Sequence, residues 1–360
     1  MITGQNYVRL SKHITLSRRI LRVKATQELF KHTPLCYSFC QSGMTKAHHA
    51  KVRAPRNRTL MFSDAEANEL GKFVLGLDGN VGSSDIRNRV ICGDAFRALP
   101  SIERAGTDLL FCDPPYNLNK DFGKESFART SSDTYEQWLD SWLSLCVPLL
   151  KKTASVYICG DWRSSAAIEL VGARYFKLQN RITWEREKGR GAKRNWKNAA
   201  EDIWFFTVSD KFTFNLDDVK QRRRVIAPYK ENGRPKDWSE TSDGKFRDTH
   251  PSNIWTDITV PFWSMPENTD HPTQKPEKLL AKIILASTNP GDLIVDPFAG
   301  SGTTAVVAKK LGRDFIAIES DEEYCILAAK RLELAETDKA IQGFSDGVFW
   351  ERNSRYSNHR

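Results

Sequence analysis

From Val90 onward the chain alternates short apolar runs, each ending in a small or acidic residue, with longer stretches whose apolar positions recur at helical spacing. The runs are Val90-Ile91-Cys92, Asp108-Leu109-Leu110-Phe111-Cys112, Ser155-Val156-Tyr157-Ile158-Cys159, Leu293-Ile294-Val295 and Phe315-Ile316-Ala317-Ile318. Runs this short and this continuously apolar predict strands, and residues 135–150 and 276–287 between them predict helices. Strand and helix in alternation predict an α/β fold, a doubly wound and mostly parallel sheet covered by helices. No apolar run approaches the roughly 20 residues needed to span a bilayer, so no membrane segment is expected.

The alternation fails between about Glu185 and Asp270, where charged, aromatic and turn-forming residues crowd together. Lys188, Arg190, Lys193, Arg194, Trp196 and Lys197 lead this stretch, and Arg222-Arg223-Arg224 lies in its middle. It predicts an inserted module that interrupts the sheet domain, with Trp196, Trp204, Trp238 and Trp255 as the core of a unit that needs large apolar side chains. The expected organisation is a basic arm over residues 1–60, a first half-domain over 61–184, the insertion over 185–270, a second half-domain over 271–335 and a tail over 336–360.

Charge sharpens only the first boundary. The formal net charge is +9, yet residues 1–60 hold twelve Lys/Arg against the single acid Glu28, which leaves 42 bases and 44 acids in the remainder. The body is therefore near neutral and the excess is an arm. Such an arm fits a nucleic-acid-binding extension, a targeting peptide, or residues translated upstream of the true start. The last reading is favoured, because Met61 opens an abruptly acidic, helix-like Phe62-Ser63-Asp64-Ala65-Glu66. Seven scattered cysteines without paired spacing suit a reduced cytoplasm, and Cys36 and Cys40 near His48 and His49 have poor zinc-site spacing, so no metal is expected.

Two motifs carry chemistry. Asp113-Pro114-Pro115-Tyr116 directly follows a predicted strand, and in a doubly wound sheet ligands bind beyond the carboxyl ends of strands. The prolines fix the backbone and leave the Pro114 carbonyl to accept, which with the Asp113 carboxylate gives two acceptors beside the Tyr116 ring. That set complements an exocyclic amine on a stacked base. Asp296-Pro297-Phe298-Ala299-Gly300-Ser301-Gly302-Thr303-Thr304 follows another strand and opens a helix, so its glycines allow close approach of a ligand and the helix N-terminus offers N–H groups to an anion. Glu319 ends the next strand, at the place where an acid grips ribose hydroxyls. The glycine pattern alone would also fit NAD.

Together, "DPPYN", "DPFAGSGTT" and "HPTQKP" at residues 271–276 resemble the amino-methyltransferases of DNA. Their order resembles the circularly permuted beta subclass, in which the catalytic half precedes the cofactor half of a Rossmann-like sheet. The resemblance covers residues 90–332 and includes Ile91-Cys92-Gly93-Asp94 and Ile182-Thr183-Trp184-Glu185. It implies that Asp113, Pro114, Pro115 and Tyr116 hold and stack the base. It implies S-adenosylmethionine as cofactor, with Gly300, Gly302 and Thr303 lining its methionine part, Glu319 binding its ribose, and Asp296, Phe298, Ser301 and Ala95 also among the cofactor-binding residues. Asp94 would lie near the cofactor adenine, while His271, Thr273 and Lys275 would wrap its carboxylate side. For Asp94 the competing reading is a helix cap.

The implied reaction needs no covalent nucleophile, since acceptors at Asp113 and Pro114 localise the amine lone pair and aim it at the sulfonium methyl. The substrate is then duplex DNA, with the base rotated out of the stack. The insertion, with sixteen bases against twelve acids from Trp184 to His250, would read the target, and Arg190, Lys193, Arg194 and Asn195 are the candidate contacts. An aspartate at the head of the clamp favours adenine N6, with cytosine N4 as the nearest alternative. An RNA or protein-amide methyltransferase fits less well, because there the glycine motif precedes the clamp; a catalytically dead DNA-binding protein would show a damaged motif. A homodimer and a cognate restriction endonuclease are partners the resemblance allows.

Overall fold

The computed structural model describes residues 53–77, 86–122, 125–127, 129–186, 194–226, 229–241 and 244–352. Its centre is a nine-stranded sheet in the order Val74–Gly76, Arg89–Cys92, Asp314–Glu319, Leu293–Asp296, Thr107–Cys112, Leu150–Gly160, Ala200–Thr207, Lys177–Glu185, Ile254–Trp255. The first six run parallel; Ala200–Thr207 runs antiparallel to both its neighbours. The doubly wound α/β expectation holds, and the two motif-bearing strands are adjacent, with Ile294 opposite Leu109 and Val295 opposite Leu110.

The continuous apolar runs are explained by helices on both faces. Leu109, Phe111, Tyr157, Ile294 and Phe315 point into one core with Leu279, Ile283, Ala305, Val306 and Ala328, whereas Leu110, Cys112, Val156, Val295 and Ile316 point into another with Leu139, Trp142, Leu143 and Ile168. The period-2 pleat thus deals successive residues to opposite cores, and both must be apolar. Emptying one fully buried position such as Leu109→Ala should cost about 2–5 kcal/mol.

Helix limits follow from capping chemistry. Ser132–Cys146 starts at Ser131, whose hydroxyl accepts from Thr134 N, and stops before Pro148, earlier than the expected residue 150. Glu277–Ser287 follows Pro276. Among the described residues, no helix is long and apolar enough to cross a membrane.

The insertion is not a self-contained module. Ala200–Thr207 and Ile254–Trp255 belong to the main sheet, so Trp204 and Trp255 pack there, and Trp196 is 93% exposed; of the four tryptophans, only Trp238 is buried beside the smaller sheet. That five-stranded sheet orders Ser239–Thr241, Gly244–Thr249, Gln221–Arg224, Val348–Trp350 and Phe344–Ser345. The expected tail beyond residue 336 therefore supplies two of its strands. The arginine triplet lies in strand Gln221–Arg224: Arg222 makes two 2.7 Å bonds to Asp248, and Arg223 lies 3.6 Å from Glu351.

The expected boundary at Met61 is also displaced. Residues 1–52 lie outside the described residues, but Arg58 N–H donates to Trp263 O at 2.6 Å, Leu60 N–H to Asn268 O at 2.8 Å, and Asn268 Nδ2 to Thr59 Oγ1 at 2.8 Å. Arg53 pairs with Asp270 at 2.6 Å. Backbone bonds of this kind leave no trace in the residue pattern.

Candidate active site

The Asp113-Pro114-Pro115-Tyr116 turn leaves the carboxyl end of Thr107–Cys112 beside the end of Leu293–Asp296. Its shape is fixed from three sides. Tyr135 OH donates to Pro115 O at 3.0 Å, Asn117 N–H donates to Ser164 Oγ at 3.1 Å, and Tyr116 OH donates to Asp113 Oδ1 at 2.8 Å.

Lys275 completes the clamp from the other half of the sequence. Its ammonium donates to Asp113 Oδ2, lies 3.3 Å from Tyr116 OH and 3.5 Å from Glu201 Oε2, and faces the Tyr116 ring at 5.6 Å. Glu201 in turn pairs with Arg186, so cations and carboxylates alternate from Asp113 to the head of the insertion. Lys275 and Glu201 are 6% and 3% exposed. Burial works against the lysine charge, but Asp113 and then Glu201 outweigh it and hold Lys275 above its ordinary range. Burial, followed by Asp113 and Glu201, pushes the Tyr116 phenol well up, so it stays a neutral donor. Lys275, expected in the segment that wraps the cofactor's carboxylate side, thus contacts the Asp113 carboxylate.

The glycine motif forms the adjoining wall. Gly300 and Gly302 have φ of +53° and +77°, the left-handed region that glycine alone adopts without cost. A Cβ at Gly300 would stand 2.8 Å from His271 Nε2, and one at Gly302 2.6 Å from the Ala328 Cβ. The turn is kept bare both for its backbone and for these neighbours. His271 reaches the glycine turn and packs edge-on against Tyr324 at 4.5 Å, and Thr273 N–H donates to His271 Nδ1 at 3.3 Å.

Other predicted residues turn inward. Asp296 is 3% exposed, accepting from Thr304 Oγ1 at 2.5 Å and Phe298 N–H at 3.0 Å; burial pushes its carboxyl up to about 7. Phe298 packs on Trp142 at 5.0 Å. The Ser301 carbonyl and Thr303 hydroxyl both accept from buried Arg331 at 2.9 Å, which makes them anchors of the turn. Glu319 accepts from Gly300 N–H at 2.8 Å and Asp321 N–H at 2.9 Å, and burial raises its carboxyl pKa. Asp94 caps Ala95–Ala98 through Arg97 N–H at 3.2 Å, while Gly93 N–H bonds to Glu319 O at 2.8 Å, so this capping turn adjoins Glu319. Ala95 itself is buried.

Sequence reasoning missed Glu201, Arg186, Arg331, Tyr324 and Ser164. All of these reveal themselves only through contacts. Of the predicted DNA contacts, Arg194 and Asn195 are exposed, and Arg190 and Lys193 lie outside the described residues.

The DNA methylase family of N6- and N4-directed enzymes matches residues 107–330. The chain is 36% identical over 253 residues to the DNA adenine methyltransferase YhdJ of Escherichia coli (strain K12), covering 68% of this chain and 83% of that one. It is 36% identical over 250 residues to the type II methyltransferase M.HpaI of Haemophilus parainfluenzae, with 68% and 74% covered. Among solved structures, the cytosine-N4-specific PvuII DNA methyltransferase superposes with a TM-score of 0.52 at 20% identity, over 68% of this chain and 85% of that one, a likeness of fold.

Proposed function

We propose an adenine-directed reaction for this chain, which belongs to the N6/N4 family of DNA methylases: transfer of a methyl group from S-adenosylmethionine to the exocyclic N6 amine of adenine in duplex DNA. The observation that carries the reading is the convergence of Asp113, Tyr116 and Lys275 at the shared carboxyl edge of the two motif strands. Adenine is favoured by Asp113 at the head of the clamp and by the name of the Escherichia coli relative. The type II relative supports a restriction-modification setting, with an endonuclease acting on the same site.

The residues fit such a cofactor. Gly300 and Gly302 leave their turn open for close approach, Glu319 offers a half-buried carboxylate at the end of the neighbouring strand, and helix Thr303–Lys310 presents its N-terminus to an anionic end. Bound there, S-adenosylmethionine supplies an electrophilic methyl on a sulfonium. The protein's part is placement. A carboxylate has about four lone-pair sites, so with Tyr116 and Lys275 on its two oxygens Asp113 keeps capacity for an amine N–H. The Pro114 carbonyl takes the second N–H, and the Tyr116 ring stacks on the extruded base. These acceptors draw the amine lone pair out of ring conjugation and point it along the line of transfer. Orienting contacts of this kind are worth about 10²–10³ in rate. The base has to leave the stack to reach them.

The test is incubation of the full chain with duplex DNA and labelled cofactor, followed by digestion to nucleosides. Label in N6-methyldeoxyadenosine is expected. Label in N4-methyldeoxycytidine would overturn the choice of base, and no label in DNA would overturn the reading itself.

A further inference from the structure

The turn after strand Leu150–Gly160 presents Trp162 at 60% exposure, a large apolar surface to leave in water. Its flanks are held rigidly. Asp161 is 5% exposed and Ser164 is fully buried; Ser164 N–H donates to Asp161 Oδ1 and Ser165 N–H to Asp161 O, both at 2.9 Å. The same Ser164 hydroxyl accepts the N–H of Asn117, the residue that follows Tyr116. The turn and the clamp are therefore one rigid unit on neighbouring strands paired through Cys112 and Ile158, about 5 Å apart.

Arg163 lies over the Trp162 ring at 4.9 Å. Among the described residues it has no carboxylate within ion-pair distance, whereas Arg186, Arg222 and Arg223 each have one. A flat ring backed by an available guanidinium is suited to a base face and a flanking phosphate. The pair follows the carboxyl end of strand Leu150–Gly160, at the same sheet edge as the clamp, and a base drawn into the clamp leaves a gap in its duplex.

We propose that Trp162 enters the gap left by the extruded base and stacks on its neighbours, while Arg163 holds the adjoining phosphate. This rests on the DNA-methylating reading above. Trp162 touches neither the amine nor the methyl; it stabilises the flipped state on which methyl transfer depends.

The test uses the full chain and duplexes carrying its mapped genomic site, either matched or with the target base mispaired, since a mispaired base is easier to extrude. Trp162→Ala should slow single-turnover methylation of the matched duplex about tenfold, and mispairing should restore most of the rate. Trp162→Phe should retain most activity on both. With 2-aminopurine at the target position, the fluorescence rise on binding should be largely lost in Trp162→Ala. Arg163→Gln should weaken binding and lower the salt slope by about one. Equal slowing of Trp162→Ala on matched and mispaired duplexes would mark a merely structural residue and overturn the proposal, as would no slowing on either. A wild-type chain that methylates no DNA overturns instead the reading on which the proposal stands.

Discussion

Two buried groups of lysine and carboxylate flank one helix, Glu277–Ser287, and they are put to different ends. Just before the helix, Lys275 meets two carboxylates, Asp113 and Glu201. On the helix, Lys278 and Lys282 share a single carboxylate, Asp257, each at 2.7 Å. The balance shows in the charges. Burial is the leading influence on all three lysines, yet two acids overcome it at Lys275, whereas one shared acid does not, and Lys282 is pushed down to about 8. Lys282 also lies beneath Trp255 and Phe349, and Lys278 donates to backbone carbonyls of Asp257 and Trp350, which closes that group off. The Asp257 group ties the C-terminal strand to the main domain. The Asp113 group, at the carboxyl edge of the sheet, keeps an acceptor for a visitor. Location relative to the strand ends separates a staple from a site.

Breaking the first group should reduce chemistry far more than folding. Lys275→Met is expected to lower methyl transfer by about 10²–10³ through loss of Asp113 alignment. Comparison of single-turnover rates and thermal melting would check this; a variant that melts early and turns over normally would reverse the roles drawn for the two groups. Breaking the second should do the opposite. Asp257→Ala leaves two ammonium groups buried without their carboxylate, a loss of about 3–5 kcal/mol in denaturant unfolding. The fraction that remains folded should keep wild-type specific activity.

The Asp113 turn and the glycine turn are each contiguous, so their residue types sufficed to place them at strand ends. Lys275 was visible within "HPTQKP", but its partner lies 162 residues away, and only the fold shows that it serves Asp113. Glu201 was hidden because Ala200–Thr207 runs antiparallel in an otherwise parallel sheet, outside the strand–helix alternation that guides such a reading. The same strand is why the insertion read as one block from residue 185 to 270 and why its tryptophans seemed to share a core. The arginine triplet gave no sign in sequence of its partners Asp248 and Glu351, which lie far along the chain.

A smaller effect concerns the segment before Met61. A chain begun at Met61 loses the bonds that Arg58, Thr59 and Leu60 make to the loop ahead of His271, while one begun at Arg53 keeps them. The shorter chain should melt a few degrees lower, by about 1–2 kcal/mol. Identical melting of the two would show that this strap contributes nothing.

In the proposed reaction Asp113 is the acceptor that orients the target amine. Cofactor affinity and single-turnover methyl transfer, measured together on Asp113→Ala and wild type, address it. Affinity close to wild type with transfer lowered by at least about 10³ is the predicted result. Transfer within about tenfold of wild type would contradict it.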